Sequence, residues 1–210
     1  MRRYGKEKMK TAVILNCPDL KDEVKESAVI YADGAYRFKD RLKDKKTLAI
    51  VGDFDSLGYV PRGDKVLRLE PEKNLTDGER AVRLAYETGV KEIAIYGAYG
   101  GKTEHILGNI ALLKIAKNLG LNAEIIDGAF VTELISGEWR KKMKKGGALS
   151  LIPYGGDCSF AGSEGLYYPL ENLTLTSGDT RGISNVSVTE TVALKINSGE
   201  ALVIYETENL

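Results

Sequence analysis

The sequence predicts an α/β domain built on a doubly wound, mostly parallel sheet, followed by a small all-β sandwich. Two observations carry this. From Thr11 to about Asp127, short apolar runs alternate with amphipathic stretches, as strands alternate with helices. Beyond Asp127 the apolar runs are short, alternating and β-branched, and the turns between them are rich in Gly, Ser and Asn. The join falls near Gly128, giving domains over 1–127 and 128–210.

In the first domain, Thr11–Leu15, Val29–Ala32, Leu48–Val51, Val66–Leu69, Ile93–Tyr96 and Ala123–Ile126 have strand length and composition. A helix opens at Thr76, with Glu79 at the spacing of a capping box, and is expected to turn Ala81, Leu84 and Ala85 inward before Gly89 ends it. A second runs from about His105 to Leu119, with Ile106, Ile110 and Leu113 on one face and Gly120 at its C-terminal cap. In the second domain the expected strands are Val131–Ile135, Ala148–Pro153, Leu173–Thr176, Val186–Thr189, Val192–Ile196 and Ala201–Tyr205. Lys141, Lys142, Lys144 and Lys145 read as a solvated hairpin, and Trp139 as core filling for the β domain.

Charge and cysteine usage narrow the function. Lys+Arg and Asp+Glu are equal at 30 each, so no overall positive field gathers nucleic acid or an anionic membrane, and a small-molecule partner is expected. Cys17 and Cys158 stand too far apart in sequence for a CxxC metal site or a disulfide framework, which suits the cytoplasm. The basic start is followed only by the short apolar run Ala12–Leu15, too short for a signal peptide or a membrane span.

The chemistry concentrates at strand ends. Ala32-Asp33-Gly34 follows the second strand, Gly52-Asp53-Phe54-Asp55-Ser56 follows the third, and Asp77 heads the capped helix. Ligands of an open α/β sheet bind outside the carboxyl ends of its strands, where these turns project. Asp and Gly also recur in turns for purely geometric reasons. Several carboxylates gathered in one place nonetheless repel unless a cation lies between them, and an all-oxygen set suits Mg²⁺.

A second feature, Gly97-Ala98-Tyr99-Gly100-Gly101-Lys102-Thr103-Glu104-His105, joins a strand to a helix, where glycines let backbone N–H groups approach phosphate oxygens. It is not a P-loop. The position five before Gly101 is Tyr96, and Gly97 leaves only three residues between, so GxxxxGK[ST] fails, as does GxGxxG. A Walker-type ATPase and a dinucleotide-binding dehydrogenase are therefore disfavoured. The chain has one histidine, His105, which excludes any mechanism needing two imidazoles.

Taken in order, Ala32-Asp33-Gly34-Ala35, Gly52 to Ser56, Lys73 with Thr76-Asp77, Gly97 to His105, and Arg181-Gly182-Ile183-Ser184-Asn185 resemble the thiamin pyrophosphokinase family. The resemblance spans nearly the whole chain. It implies transfer of pyrophosphate from ATP to the hydroxyl of thiamin, by an α/β domain that binds ATP and metal and a β-sandwich that contributes to thiamin binding and dimerisation. Carried over residue by residue, it assigns Asp53, Asp55 and Asp77 to Mg²⁺ or its waters, with Asp33 close by on the acceptor side. Lys73, Thr76, Gly100, Gly101 and Lys102 are assigned to ATP phosphates, Glu104 and His105 to orienting ATP or the acceptor hydroxyl, and Ser184 and Asn185 to thiamin. It also implies a homodimer whose sites draw on both subunits. The chain departs from the family pattern at Glu104, where many members have Asp, at Lys102, where Arg is usual, and at Asn74, where Asp is common. A pyrophosphokinase for another hydroxymethyl heterocycle, such as a pterin, and a non-catalytic thiamin or nucleotide sensor are the alternative readings.

Overall fold

Strands that are apolar at nearly every position need cover on both faces, and three of them organise the first half of the chain. The computed structural model describes residues 10–63, 65–69 and 75–208. It divides into two units, Met1–Asp127 and Gly128–Leu210. In the first unit, β1 (Lys10–Ile14) pairs in parallel with β2 (Ala28–Ala32) and with β5 (Glu92–Tyr96), and the side chains of all three are almost wholly buried. β2 continues to β3 (Lys46–Gly52), β3 to β4 (Val66–Arg68), and β5 to β6 (Asn122–Asp127), each pair parallel. The order β6-β5-β1-β2-β3-β4 means that the chain steps outward from β1 through β4, then returns to β5 and steps the other way. Parallel pairing puts the carboxyl ends of β1, β2, β3 and β5 on one edge, and the reversal falls between β1 and β5, the kind of place at which such sheets take ligands.

Helix α1 (Asp77–Glu87) packs on β1, β2 and β3 and against α2 (Thr103–Asn118), which also covers β6. The Thr76 hydroxyl accepts from the Glu79 N–H at 3.2 Å, so the N-cap forms as expected. The reciprocal half of the capping box is not needed, because the Glu79 carboxylate is drawn along the helix to Arg83 at 2.7 Å. Val82, not Leu84, joins Ala81 and Ala85 in the buried face, and Leu84 is half-buried on its flank. In α2 the buried residues are Leu112, Leu113 and Ala116, whereas Ile106 and Ile110 are only partly covered. This helix is apolar around much of its circumference, so periodicity could not single out one face.

The second unit is all-β. It comprises β7 (Phe130–Ile135), β8 (Glu138–Lys142), β9 (Ala148–Pro153), β10 (Cys158–Glu164), β11 (Thr174–Leu175), β12 (Asn185–Val186), β13 (Thr191–Ser198) and β14 (Ala201–Glu206). Antiparallel pairing gives the orders β12-β9-β14-β7 and β11-β10-β13-β8. Trp139 on β8 joins the two, its ring edge-on to Tyr205 of β14 at 5.4 Å and its Nε1 donating to Glu133 of β7 at 3.2 Å. Glu133 also accepts from the Tyr205 hydroxyl at 2.7 Å and pairs with Lys141 at 2.8 Å, so a largely buried carboxylate is fully served.

Three strands depart from the sequence expectation, the first being Val186–Thr189, of which only Val186 is in a strand, the two-residue β12. β8 replaces part of the lysine hairpin: Lys141 and Lys142 lie in a strand, and Lys141 and Lys144 are ion-paired, the latter with Glu206 at 2.5 Å. β10 carries Gly, Ser and Ala at its centre and register shifts between Ser159 and Gly162, which mask its alternation.

Candidate active site

Each acid is set by local backbone chemistry. At the end of β2 the chain enters a 3₁₀ turn, Asp33–Phe38, with Asp33 at φ +47, a left-handed conformation rare outside glycine. A side chain on Gly52, at the end of β3, would place its Cβ 2.8 Å from the Asp33 Cα, so glycine is what lets the two strand ends meet. Phe54, between Asp53 and Asp55, is also left-handed at φ +66 and is buried, while the flanking acids stay accessible. The Asp55 N–H donates to the Asp53 carboxylate at 3.1 Å, tightening the turn. Carboxylate oxygens of Asp33, Asp53 and Asp55 all lie within 4.8 Å of one another.

Asp77, the first residue of α1, faces the same cavity of about 650 Å³ and stands outside that close group. Burial pushes its carboxyl up to about 6, and the neighbouring charges of Asp33, Asp53 and Asp55 push in the same direction. Asp33 is 5% exposed, and its Oδ1 is buried without a hydrogen-bond partner. An orphaned carboxylate oxygen beside two further acids is a costly arrangement that a hard cation relieves. The all-oxygen donor set therefore fits Mg²⁺.

The glycine loop leads from β5 into α2, and Lys102, not Gly100 or Gly101, is its residue among those lining the cavity. Gly97 (φ +73) brings its backbone against Cys17, where a Cβ would meet the thiol sulfur at 2.7 Å. Gly100 takes φ +89, with Gly101 next, and open space surrounds the place where a Gly100 side chain would stand. Lys102 is the N-cap of α2 and makes no side-chain cap bond, so the first N–H groups of that helix lack this partner. Lys102, Glu104 and His105 line the cavity with the acids. Glu104 and His105 are both well exposed, with Oε1 and Nε2 3.9 Å apart. Thr76 lines the cavity too, with its hydroxyl already engaged as a cap. Lys73 lies outside the described residues.

Ser184 and Asn185 belong to the second unit. Ser184 is left-handed at φ +64, and its N–H donates to Ser150 Oγ at 3.0 Å. Gly182 makes the turn possible: a Cβ there would lie 2.2 Å from the Leu151 carbonyl oxygen. Asn185 is buried, and its amide is committed. Oδ1 accepts from the Tyr168 and Val186 N–H groups at 3.1 and 2.8 Å, and Nδ2 donates to the Tyr168 carbonyl at 2.7 Å.

Sequence reasoning missed Asn16, Arg37 and Asn109. Asn16 directly follows the β1 run, and the strand-end rule that found the acids would have found it. Asn109 donates to the Ala98 carbonyl at 2.9 Å, pinning the glycine loop to α2, and nothing in its sequence context marks it.

The family model "Thiamin pyrophosphokinase, catalytic domain" matches residues 21–125, and "Thiamin pyrophosphokinase, vitamin B1 binding domain" matches 138–203. A Bacillus subtilis protein named thiamine pyrophosphokinase is 30% identical over 166 residues, 75% of this chain and 77% of that protein. Among solved structures, thiamine pyrophosphokinase from Bacillus subtilis has a TM-score of 0.79 at 23% identity, covering 95% of this chain and 100% of that one. The enzyme from Geobacillus thermodenitrificans gives 0.78 at 23%, covering 96% and 99%.

Proposed function

This chain belongs to the thiamin pyrophosphokinase family, and from that premise we propose that it transfers the pyrophosphoryl group of ATP to the hydroxyl of thiamin, releasing AMP. The observation that carries the reading is the cavity of the first unit, in which four carboxylates, one with an orphaned buried oxygen, face the start of α2 and Lys102. The hydroxyl oxygen of the acceptor loses its proton and forms a bond to the β-phosphorus, while the bond from that phosphorus to the oxygen bridging to the α-phosphate breaks and that oxygen leaves with AMP. Such transfers rest on alignment and charge neutralisation. Asp33, Asp53 and Asp55 would hold Mg²⁺, with Asp77 adding charge beside them. Mg²⁺, when bound, offsets the negative charge of the phosphate oxygens.

Gly100, Gly101, Lys102 and the uncapped N–H groups of α2 receive the phosphates, together with Lys73 and the Thr76 turn. Glu104 and His105 orient ATP or the acceptor. Ser184 contacts the aminopyrimidine edge, and Asn185, whose amide already holds Tyr168, shapes the acceptor side. The first unit is read as a doubly wound sheet and the second as a sandwich, working in a cytoplasmic homodimer in which one subunit's acids serve an acceptor bound by its partner.

The match to a vitamin B1 binding domain favours thiamin over a pterin acceptor, and the retained acids favour an enzyme over a sensor. The test is to assay ATP and Mg²⁺ against thiamin and a panel of hydroxymethyl heterocycles. AMP release with thiamin alone supports the reading; preference for another acceptor replaces it.

A further inference from the structure

Asn16 follows β1 at the carboxyl edge of the sheet, and its neighbours allow its amide one orientation. The Arg37 guanidinium can only donate. Its Nη2 donates to Asn16 Oδ1, while its Nε donates to the Gly34 carbonyl at 2.8 Å. With Oδ1 committed, Nδ2 must face the acids, donating to Asp33 Oδ2 at 3.1 Å and to Ser56 Oγ at 3.1 Å. The Ser56 hydroxyl passes its own hydrogen to Asp55 Oδ1 at 3.0 Å. One amide thus reaches Asp33 directly and Asp55 through Ser56.

The backbone makes room for this relay. A Cβ on Gly34 would stand 2.6 Å from both Arg37 Nη2 and Asn16 Oδ1, so only glycine there lets the arginine and the asparagine meet. The outcome is visible at Asp33. Its Oδ2 is tied to Asn16, and its Oδ1 is left buried and unpaired in a residue that lines the cavity.

We propose that Asn16, oriented by Arg37, is a positioning residue that fixes the Asp33 and Asp55 carboxylates to receive a divalent cation. The inference rests on the metal-dependent reading of the acid cluster above. Partners that orient metal-ligating groups are worth about 10–100-fold in metal affinity. The Arg37 side-chain bonds go to Asn16 and Gly34 and not to the acids, so its effect runs through the orientation of Asn16 and disappears once Asn16 is gone.

The test is a calorimetric titration of the intact, nucleotide-free protein with Mn²⁺, comparing Asn16→Ala, Arg37→Ala and the double variant, with Asp53→Asn as reference and circular dichroism to verify folding. Asn16→Ala is expected to weaken Mn²⁺ binding about tenfold or more. Arg37→Ala should weaken it less, and the double variant should match Asn16→Ala rather than add to it. In the assay, Asn16→Ala should shift the Mg²⁺ dependence of kcat to higher concentration, with kcat recovered at saturation. If Asn16→Ala does not fold, the nearly isosteric Asn16→Leu, which also lacks the donor, takes its place. Loss of Mn²⁺ binding in Asp53→Asn with no change in the Asn16 variant overturns the positioning role and leaves the metal site standing. Additive losses overturn the relay from Arg37. Unchanged Mn²⁺ binding in Asp53→Asn overturns the metal site and this proposal together.

Discussion

Asp33 shows how much of this protein's chemistry is decided at single residues. A left-handed backbone at a non-glycine residue costs on the order of 1–3 kcal/mol, and at φ +47 Asp33 bears that cost together with an unpaired buried oxygen. Both penalties are tolerable where a bound cation returns them. Asp53 and Asp55 complete the group, and a hard cation that loses one charged oxygen is held far less well. Asp53→Asn and Asp55→Asn are each expected to lower turnover by about a hundredfold or more at saturating Mg²⁺, with the fold intact by circular dichroism. Full activity in both variants would remove these acids from the site.

Asp77 makes stability depend on pH. Its carboxyl is raised from the usual 3.8 to about 6, so between those values the folded protein holds a proton that the unfolded chain has lost. The stability this contributes is fully present below about 4 and is lost as pH rises through about 6. The melting temperature of the metal-free protein should fall across that window, and Asp77→Asn should flatten the fall. An unchanged slope in the variant would show that the proton is bound elsewhere.

At the scale of elements, the parallel strands were legible because burial on both faces writes itself as unbroken apolar runs, as in Val13-Ile14 and Val29-Ile30-Tyr31. The Thr76 cap was legible from its spacing to Glu79. Strand β10 was not, because Ala161-Gly162-Ser163 offers no β-branched alternation and its pairing with β13 shifts register. Within the site, the acids and the glycine loop could be read from their turns, whereas Asn16 and Arg37 belong together only through contacts between separate strand ends. The same holds for the two-residue strand β12, which is held by its pairing with β9 and by the Asn185 amide on Tyr168. Asn185→Ala should raise the KM for thiamin by an amount matching about 1–2 kcal/mol, with ATP affinity little changed. It should also speed hydrogen exchange at the Tyr168 N–H. A raised KM with unchanged exchange would assign Asn185 to direct contact rather than support of that segment.

At the scale of the whole molecule, the acids lie in one unit and Ser184 and Asn185, the proposed acceptor residues, in the other, and the proposed dimer would combine an acid set from one subunit with Ser184 and Asn185 from its partner. Mixing two inactive variants, Asp55→Asn and Asn185→Asp, and refolding them together in equal amounts should then give heterodimers with one intact site. Random pairing makes half the dimers mixed, so roughly a quarter of the unmodified activity should return. No recovery, with mixed dimers shown by mass, would mean that each site is built within a single chain.

Pyrophosphoryl transfer moves the β-phosphorus itself, so the fate of that atom separates it from transfer of the γ-phosphoryl group. With ATP labelled at the β-phosphorus, Mg²⁺ and thiamin, the label should pass entirely into the thiamin product, and the nucleotide released should be unlabelled AMP. Label retained in ADP, with a thiamin monophosphate as product, would instead make the protein a monophosphate kinase and overturn pyrophosphoryl transfer.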